Sequence, residues 1–341
     1  MMKKRLALVL ALLLIIISVI GCSNNETPAS NNETPASNNE TPASNNETPG
    51  STFPEDNLTI IVPFAPGGAV DVTSRFISEV AADHINGNSI IIENVEGGGA
   101  VVGQSRAARS EPDGYTVLAY TSSVVTNAMT KETDYTYESF TPVVMYCYDP
   151  EVLVVPAESE FNTLEEFIEY GKTNSISMST PGASTSHHIA GMILEERTGV
   201  KFAYLHNDSG AMQVTQLLGN HVDAGLMAFG EAKGQIQDGF LKVLGIMNTD
   251  RNPEIPDVPT FIEKGIDIDY GAWRGLAVPV DTPDEIVDAL EEAFTKMLNE
   301  QRLIDNFEQA GYPLVIRGSD DFTEYVDQNA KDLEVIFENL K

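Results

Sequence analysis

The sequence predicts an α/β fold in two lobes, the second inserted in the first, and three observations carry that reading. Short apolar β-branched runs alternate with stretches whose apolar residues recur at helical spacing, the pattern of βαβ units and a mostly parallel sheet covered on both faces. Glycine- and hydroxyl-rich loops join strand ends to helix starts. The middle of the chain repeats the pattern as its own small sheet before the chain returns to complete the first.

The first 52 residues stand apart from this body. Met1-Met2-Lys3-Lys4-Arg5, an apolar run from Leu6 to Ile20, and then Gly21-Cys22 have the basic, apolar and small-residue regions of a secretory signal. A run of about 15 residues is short for a bilayer core, which needs roughly 20. Val19-Ile20-Gly21-Cys22 resembles a bacterial lipobox. That resemblance implies removal of residues 1–21 and lipidation of Cys22, which would hold the protein outside the cell, anchored to the membrane as a lipoprotein. Four copies of a seven-residue unit, Ser-Asn-Asn-Glu-Thr-Pro-Ala, begin at Ser23, Ser30, Ser37 and Ser44, the last ending in Gly50. They offer nothing larger than Ala or Pro to a core, so residues 22–52 are expected to be a disordered spacer that lifts the body about 30 Å off the lipid.

In the body, residues 58–64 form a strand ended by Pro66-Gly67-Gly68, after which Val70, Ser74, Ile77 and Ala81 mark a helix. Strand 89–95, glycine loop 96–99, helix 100–110 and strand 115–120 follow. The middle section reads as strand 152–155, helix 164–172, strand 176–179, helix 187–197, strand 202–205, helix 211–218 and strand 222–227. A strand at 243–247, a Pro-rich stretch at 253–259, an apolar segment at 273–279 and helices from Pro283 and Asp320 bring the chain back. Lobe 1 is therefore expected at 53–150 and 247–341, and lobe 2 at 151–246, with a ligand cleft between them.

Charge and composition exclude several functions. With 20 Lys and Arg against 51 Asp and Glu, the formal net charge of −31 repels polyanions, so nucleic acid is not an expected partner. Two cysteines in 341 residues make no disulfide framework, and no Cys/His spacing binds zinc. His187 and His188 are adjacent and project differently from a helix, so His188 is expected to be packed or hydrogen-bonded. Cys147, in the apolar 143–148 run, reads as core. Gly97-Gly98-Gly99 with Gly103 misses the dinucleotide spacing by one residue, and no Walker lysine follows. No nucleophile elbow occurs, and the loops carry donors without a poised acid or base, so neither an enzyme nor a cofactor is expected.

Three loops carry the candidate chemistry. The first, with Phe64, Ala65, Pro66, Gly67, Gly68 and Ala69, presents bare N–H groups at a helix start, a place attractive to an anion. Asp71, in the first helical turn, is placed to accept backbone N–H bonds and fix that loop. Gly182, Ser184, Thr185 and Ser186 form a hydroxyl-rich cluster at another strand-to-helix junction, suited to a carboxylate. Thr121 and Ser122, at the end of the third strand, are placed at the same cleft.

From about Phe53 onward the chain resembles the extracytoplasmic receptors of tripartite tricarboxylate transporters, the Bug-type solute-binding family. The resemblance rests on Ile61-Val62-Pro63-Phe64-Ala65-Pro66-Gly67-Gly68 with Asp71 and Arg75, on Glu93-Asn94 with Gly97 to Gly103, and on Pro112-Asp113-Gly114-Tyr115-Thr116. Pro256-Asp257-Val258-Pro259-Thr260 and Trp273-Arg274-Gly275-Leu276-Ala277 complete it. It implies a two-lobe, type II periplasmic-binding-protein fold that captures small carboxylates and passes them to membrane-embedded transporter subunits. It also implies ligand contacts from Ala65 to Ala69 and from Gly182 to Ser186. Where the family usually has Pro-Tyr-Lys-Gly, this chain has His206-Asn207-Asp208-Ser209, which removes a cation and adds an acid near the cleft, with Asn207 and Asp208 as candidate ligand contacts. If Asp208 faces the ligand, polycarboxylates are disfavoured and a monocarboxylate or amine-bearing acid fits better. The expected function is that of a monomeric, lipid-anchored carboxylate receptor. The alternative is a sensing or surface-interaction lipoprotein on the same fold without transport.

Overall fold

The computed structural model of the protein describes residues 53–339, so the apolar run, Cys22 and the repeats lie outside the described residues. The expected first unit forms. Strand β1 (Leu58–Val62) is buried at all positions but one, because parallel strands covered on both faces need apolar residues on each. Its loop leads into α1 (Ala69–Glu79), whose Ala69, Thr73 and Ile77 turn inward at helical spacing. Strands β2 (Ile90–Asn94) and β3 (Thr116–Thr121), joined through α2 (Val101–Ala108), flank β1 in parallel register. Helix α3 (Ser123–Thr130) starts directly after β3 and was not expected, since its Val124-Val125 pair reads as a continued strand.

Strand β4 (Phe140–Pro156) is the spine of the molecule. The rest of the chain follows in order: α4 (Leu164–Gly171), β5 (Ser175–Thr180), α5 (Ser186–Thr198), β6 (Lys201–His206), α6 (Gly210–Leu218), β7 (Ala224–Ala228), α7 (Phe229–Gln237) and β8 (Leu241–Ile246). Then come β9 (Gly271–Pro279), α8 (Asp284–Leu298), α9 (Gln301–Ala310), β10 (Leu314–Arg317) and α10 (Ser319–Asn339). As far as Pro150, β4 pairs with β9; from Glu151 it pairs with β7 and β8. The sheet order is β2-β1-β3-β9-β4-β7-β5-β6, with β8 and β10 also on β4.

The α/β class is as expected, but the sheet is mixed rather than mostly parallel. Its wings, β2-β1-β3 and β6-β5-β7, are parallel, while β3–β9, β4–β9, β4–β7, β4–β8 and β4–β10 are antiparallel. The two long central strands carry the chain directly between the halves, and an antiparallel neighbour needs no crossover helix. Helices α7 and α9 and strand β10 were also unforeseen. α7 contains Gly230 and Gly234, which weaken its helical pattern, whereas α9 carries Leu303, Ile304 and Phe307 at helical spacing, a signal that the sequence reading passed over. The aromatic centre of the core is Trp273, whose ring lies 5.4 Å from both Tyr120 and Phe322. Among the described residues no helix is long and apolar enough to cross a membrane.

Candidate functional site

Four helices begin at one cavity. Its wall includes Gly68 and Ala69 at the start of α1, Ser122 and Ser123 at α3, Thr185 and Ser186 at α5, and Gly210 at α6. First-turn N–H groups have no partner within their own helix and sit at the positive end of its dipole, so all four helices favour an anion here. Phe64, Pro181, Ala272 and Trp273 supply apolar surface. The cavity holds about 40 Å³, room for a few waters, and is partly open to solvent.

Asp71 shapes the first loop. Its Oδ2 accepts the Gly67 N–H at 2.9 Å, its Oδ1 accepts Asn94 Nδ2 at 2.9 Å, and Arg75 donates to both oxygens. Burial alone would raise its pKa, but Arg75, Gly67 and Asn94 outweigh that and hold the carboxyl below the usual range. Across the cleft the Ala65 N–H donates to the Asp208 carbonyl at 3.2 Å. Lys131 Nζ bridges the Gly98 carbonyl at 2.8 Å and the Ala183 carbonyl at 2.7 Å. Thr126 and Thr130 hydroxyls donate to the Ser184 carbonyl and hydroxyl. The loops touch at glycine: a Cβ on Gly182 would come within 2.8 Å of Gly99 Cα, at a φ of +142° that side chains rarely adopt.

Of the residues proposed from sequence, Phe64, Gly68, Ala69, Thr121, Ser122, Thr185 and Ser186 line the cavity. Ala65, Pro66, Gly67, Asp71, Gly182, Ser184, Asn207 and Asp208 stand outside that wall. Ser184 is consumed by Thr126, Thr130 and His188, and Asn207 Nδ2 donates to Ser179 Oγ at 2.7 Å. The Asp208 side chain is exposed and off the cavity wall. His188 is packed, as expected: its Nδ1 accepts the Ser184 N–H at 3.0 Å, and burial, His206 and Lys131 push its pKa down to about 4.

A buried ionic cluster at the cavity, with His187, Glu231 and Arg274 on its wall and Asp149 and Glu151 behind them, was not foreseen. Asp149 and Glu151 share one face of β4 at strand period, where its partners change from β9 to β7 and β8. Arg274 donates to Cys147 Sγ at 3.1 Å and to Asp149 at 3.4 Å, and its guanidinium lies 5.3 Å from the centre of the Tyr312 ring. His187 Nε2 lies 3.6 Å from Glu151 and 3.5 Å from Glu231. Gln213 Nε2 donates to the Ser179 and Leu226 carbonyls, so its Oε1 accepts from His187 Nδ1, leaving Nε2 between the carboxylates. Burial alone would lower the His187 pKa, but Glu151 and Glu231 outweigh it and raise it. Burial pushes Asp149 up to about 6 and Glu151 up to about 7. Among the described residues no group of His, Cys, Asp and Glu is arranged to hold a metal ion. Arg274 stood within a sequence motif, whereas nothing marked Glu231, which reaches the site from α7.

Residues 74–341 match the family described as tripartite tricarboxylate transporter family receptor. A UPF0065 protein from the tcbD-tcbE intergenic region of Pseudomonas is 29% identical over 76% of this chain and 79% of its own. The solved structure of the periplasmic binding protein BugD superposes with a TM-score of 0.80 at 27% identity, covering 84% of this chain and 98% of BugD. MatC from Rhodopseudomonas palustris, solved with bound malate, has a TM-score of 0.78 at 25% identity, covering 83% of this chain and 99% of MatC. The fold is thus that of the periplasmic binding proteins. The chain belongs to the tripartite tricarboxylate transporter receptor family and is a solute-binding receptor, not an enzyme.

Proposed function

We propose that the protein is a lipid-anchored extracytoplasmic receptor that captures a small carboxylate in the cleft and delivers it to a tripartite tricarboxylate-type membrane transporter. The observation that carries this reading is the convergence of four helix N-termini on one cavity. The family match supports the transporter as partner, and the malate held by MatC supports a carboxylate ligand. Lobe 1 comprises residues 53–150 and 247–341, and lobe 2 residues 151–246; the change of partners along β4 between Pro150 and Glu151 supports that division. Capture is a hinge closure in which both lobes bind the anion together only when closed, shifting the open–closed balance, and a monomer suffices for it. Cys22 carries the lipid, and the repeats space the body from the membrane.

Thermal unfolding at fixed pH and salt, against mono-, di- and tricarboxylates and amino acids, tests the reading. A ligand at 100 times its Kd adds about 2.7 kcal/mol of stability, a readable shift. No saturable shift from any acid, in a folded protein, overturns it. For the anchor, Cys22→Ser should move the protein from the membrane fraction to the soluble fraction, and an unchanged distribution would refute lipidation at that residue.

A further inference from the structure

Glu231 places a carboxylate in a cavity otherwise suited to receive one. Its side chain is 7% exposed and lies on the cavity wall. Oε1 accepts the Ala69 N–H at a long 3.3 Å, while Oε2 is buried without a hydrogen-bond partner. At the start of α6, a Cβ on Gly210 would come within 2.2 Å of Oε1, so the carboxylate packs directly against that helix end too. The protein's own anion thus sits at the first turns of α1 and α6, where a second anion would be repelled.

Charge counting decides what can enter. The ionisable groups packed around this point are Asp149, Glu151 and Glu231 against His187 and Arg274. Fully ionised, the cluster has one negative charge in excess; with a proton on Glu151, which burial favours, it is neutral. A dicarboxylate adds two negative charges in either state. A molecule with one carboxylate and one cationic nitrogen adds none, and its nitrogen, where protonated, supplies the hydrogen-bond donor that Glu231 Oε2 lacks.

Resting on the receptor reading above, we propose that Glu231 selects ligands with a protonated or quaternary nitrogen beside the carboxylate, amino acids or betaines. The nitrogen sits against Glu231, and the carboxylate lies on the hydroxyl and N–H groups at the starts of α3 and α5. Glu231 is then the specificity-determining residue, in the role that sequence reasoning gave to Asp208.

Calorimetric titration of the intact protein at pH 7 with shape-matched isosteres, in which a neutral carbon replaces the cationic nitrogen, tests this. The pairs are alanine and isobutyrate, aspartate and methylsuccinate, and glycine betaine and 3,3-dimethylbutyrate. At least one nitrogen-bearing member should bind tenfold or more tightly than its isostere, and Glu231→Gln should erase that preference. Equal or tighter binding of the isosteres, or an unchanged preference in folded Glu231→Gln, overturns the proposal and leaves the carboxylate receptor standing. No binding by any of the six overturns the proposal, and the broader acid screen above decides the receptor reading separately. If Glu231→Gln does not fold, the wild-type pairs decide alone.

Discussion

Asp71 shows how one side chain sets the geometry of a binding loop without lining the cavity. It is 3% exposed, and its oxygens gather Gly67, Asn94 and Arg75. Because Arg75 is about half exposed, its ion pair is discounted for solvent screening, and the bonds to Gly67 and Asn94 carry more of the effect. Asp71→Asn keeps the volume but turns one acceptor toward Gly67 into a donor. It should cost on the order of 1–2 kcal/mol in urea unfolding and weaken ligand binding about tenfold, since the loop that presents Gly68 and Ala69 is no longer held. Wild-type affinity in a destabilised Asp71→Asn protein would show that the loop holds its shape unaided. The fixing role of Asp71 was readable from its place in a first helical turn. Glu231 was not readable, because an acid three residues into a glycine-containing helix has the same local sequence whether it faces solvent or a cavity.

At the scale of elements, the cleft is closed by loops meeting loops. Lys131, just past α3, ties the glycine loop before α2 to the hydroxyl loop before α5 through the Gly98 and Ala183 carbonyls. Burial lowers its pKa, yet the two carbonyls hold the ammonium where a neutral side chain would leave both acceptors unpaired. Lys131→Met should therefore favour the open arrangement. A larger radius of gyration of the ligand-free protein by small-angle scattering, with affinity several-fold weaker, is the expected outcome; identical scattering and affinity would assign the latch to Thr126, Thr130 and Ser184 instead. Helix α3, whose flanking residues Ser122 and Lys131 supply a cavity hydroxyl and the latch, was missed in the sequence because Val124-Val125 favours a strand locally. Only packing against α2 and α10 makes it a helix.

For the whole molecule, the buried cluster where β4 changes partners links stability to pH. Asp149 and Glu151 have raised pKa values, so between their unfolded values near 4 and the folded values of about 6 and 7 the native state holds more protons than the unfolded one. Stability then falls as pH rises through that window. His187, raised by Glu151 and Glu231, acts in the same sense: its contribution is present below its unfolded pKa and lost as pH rises through the folded one. Asp71, with a lowered pKa, contributes stability that is lost only as pH falls through its folded value. The unfolding free energy should therefore be highest near pH 4–5 and decline toward pH 8 by an amount on the order of 2 kcal/mol, with the melting temperature falling in parallel. In Glu151→Gln the decline should flatten, and a wild-type melting temperature that rises from pH 5 to pH 8 would overturn the assignment.

What the sequence determined by itself was local or periodic. The α/β class, the three loops, the fixing role of Asp71, the packed His188 and the family follow from apolar spacing, glycine and hydroxyl placement, and short motifs, all set within a few residues of chain. The tertiary structure alone decided which of those loops face the cavity, that Asp208 points to solvent while Glu231 points in, and that Asp149, Glu151, His187, Glu231 and Arg274 meet. These groups come from β4, α5, α7 and β9, brought together by an antiparallel centre that crosses between the halves of the sheet. Their charges interact through space and burial, and neither quantity is encoded in the spacing of residues along one segment.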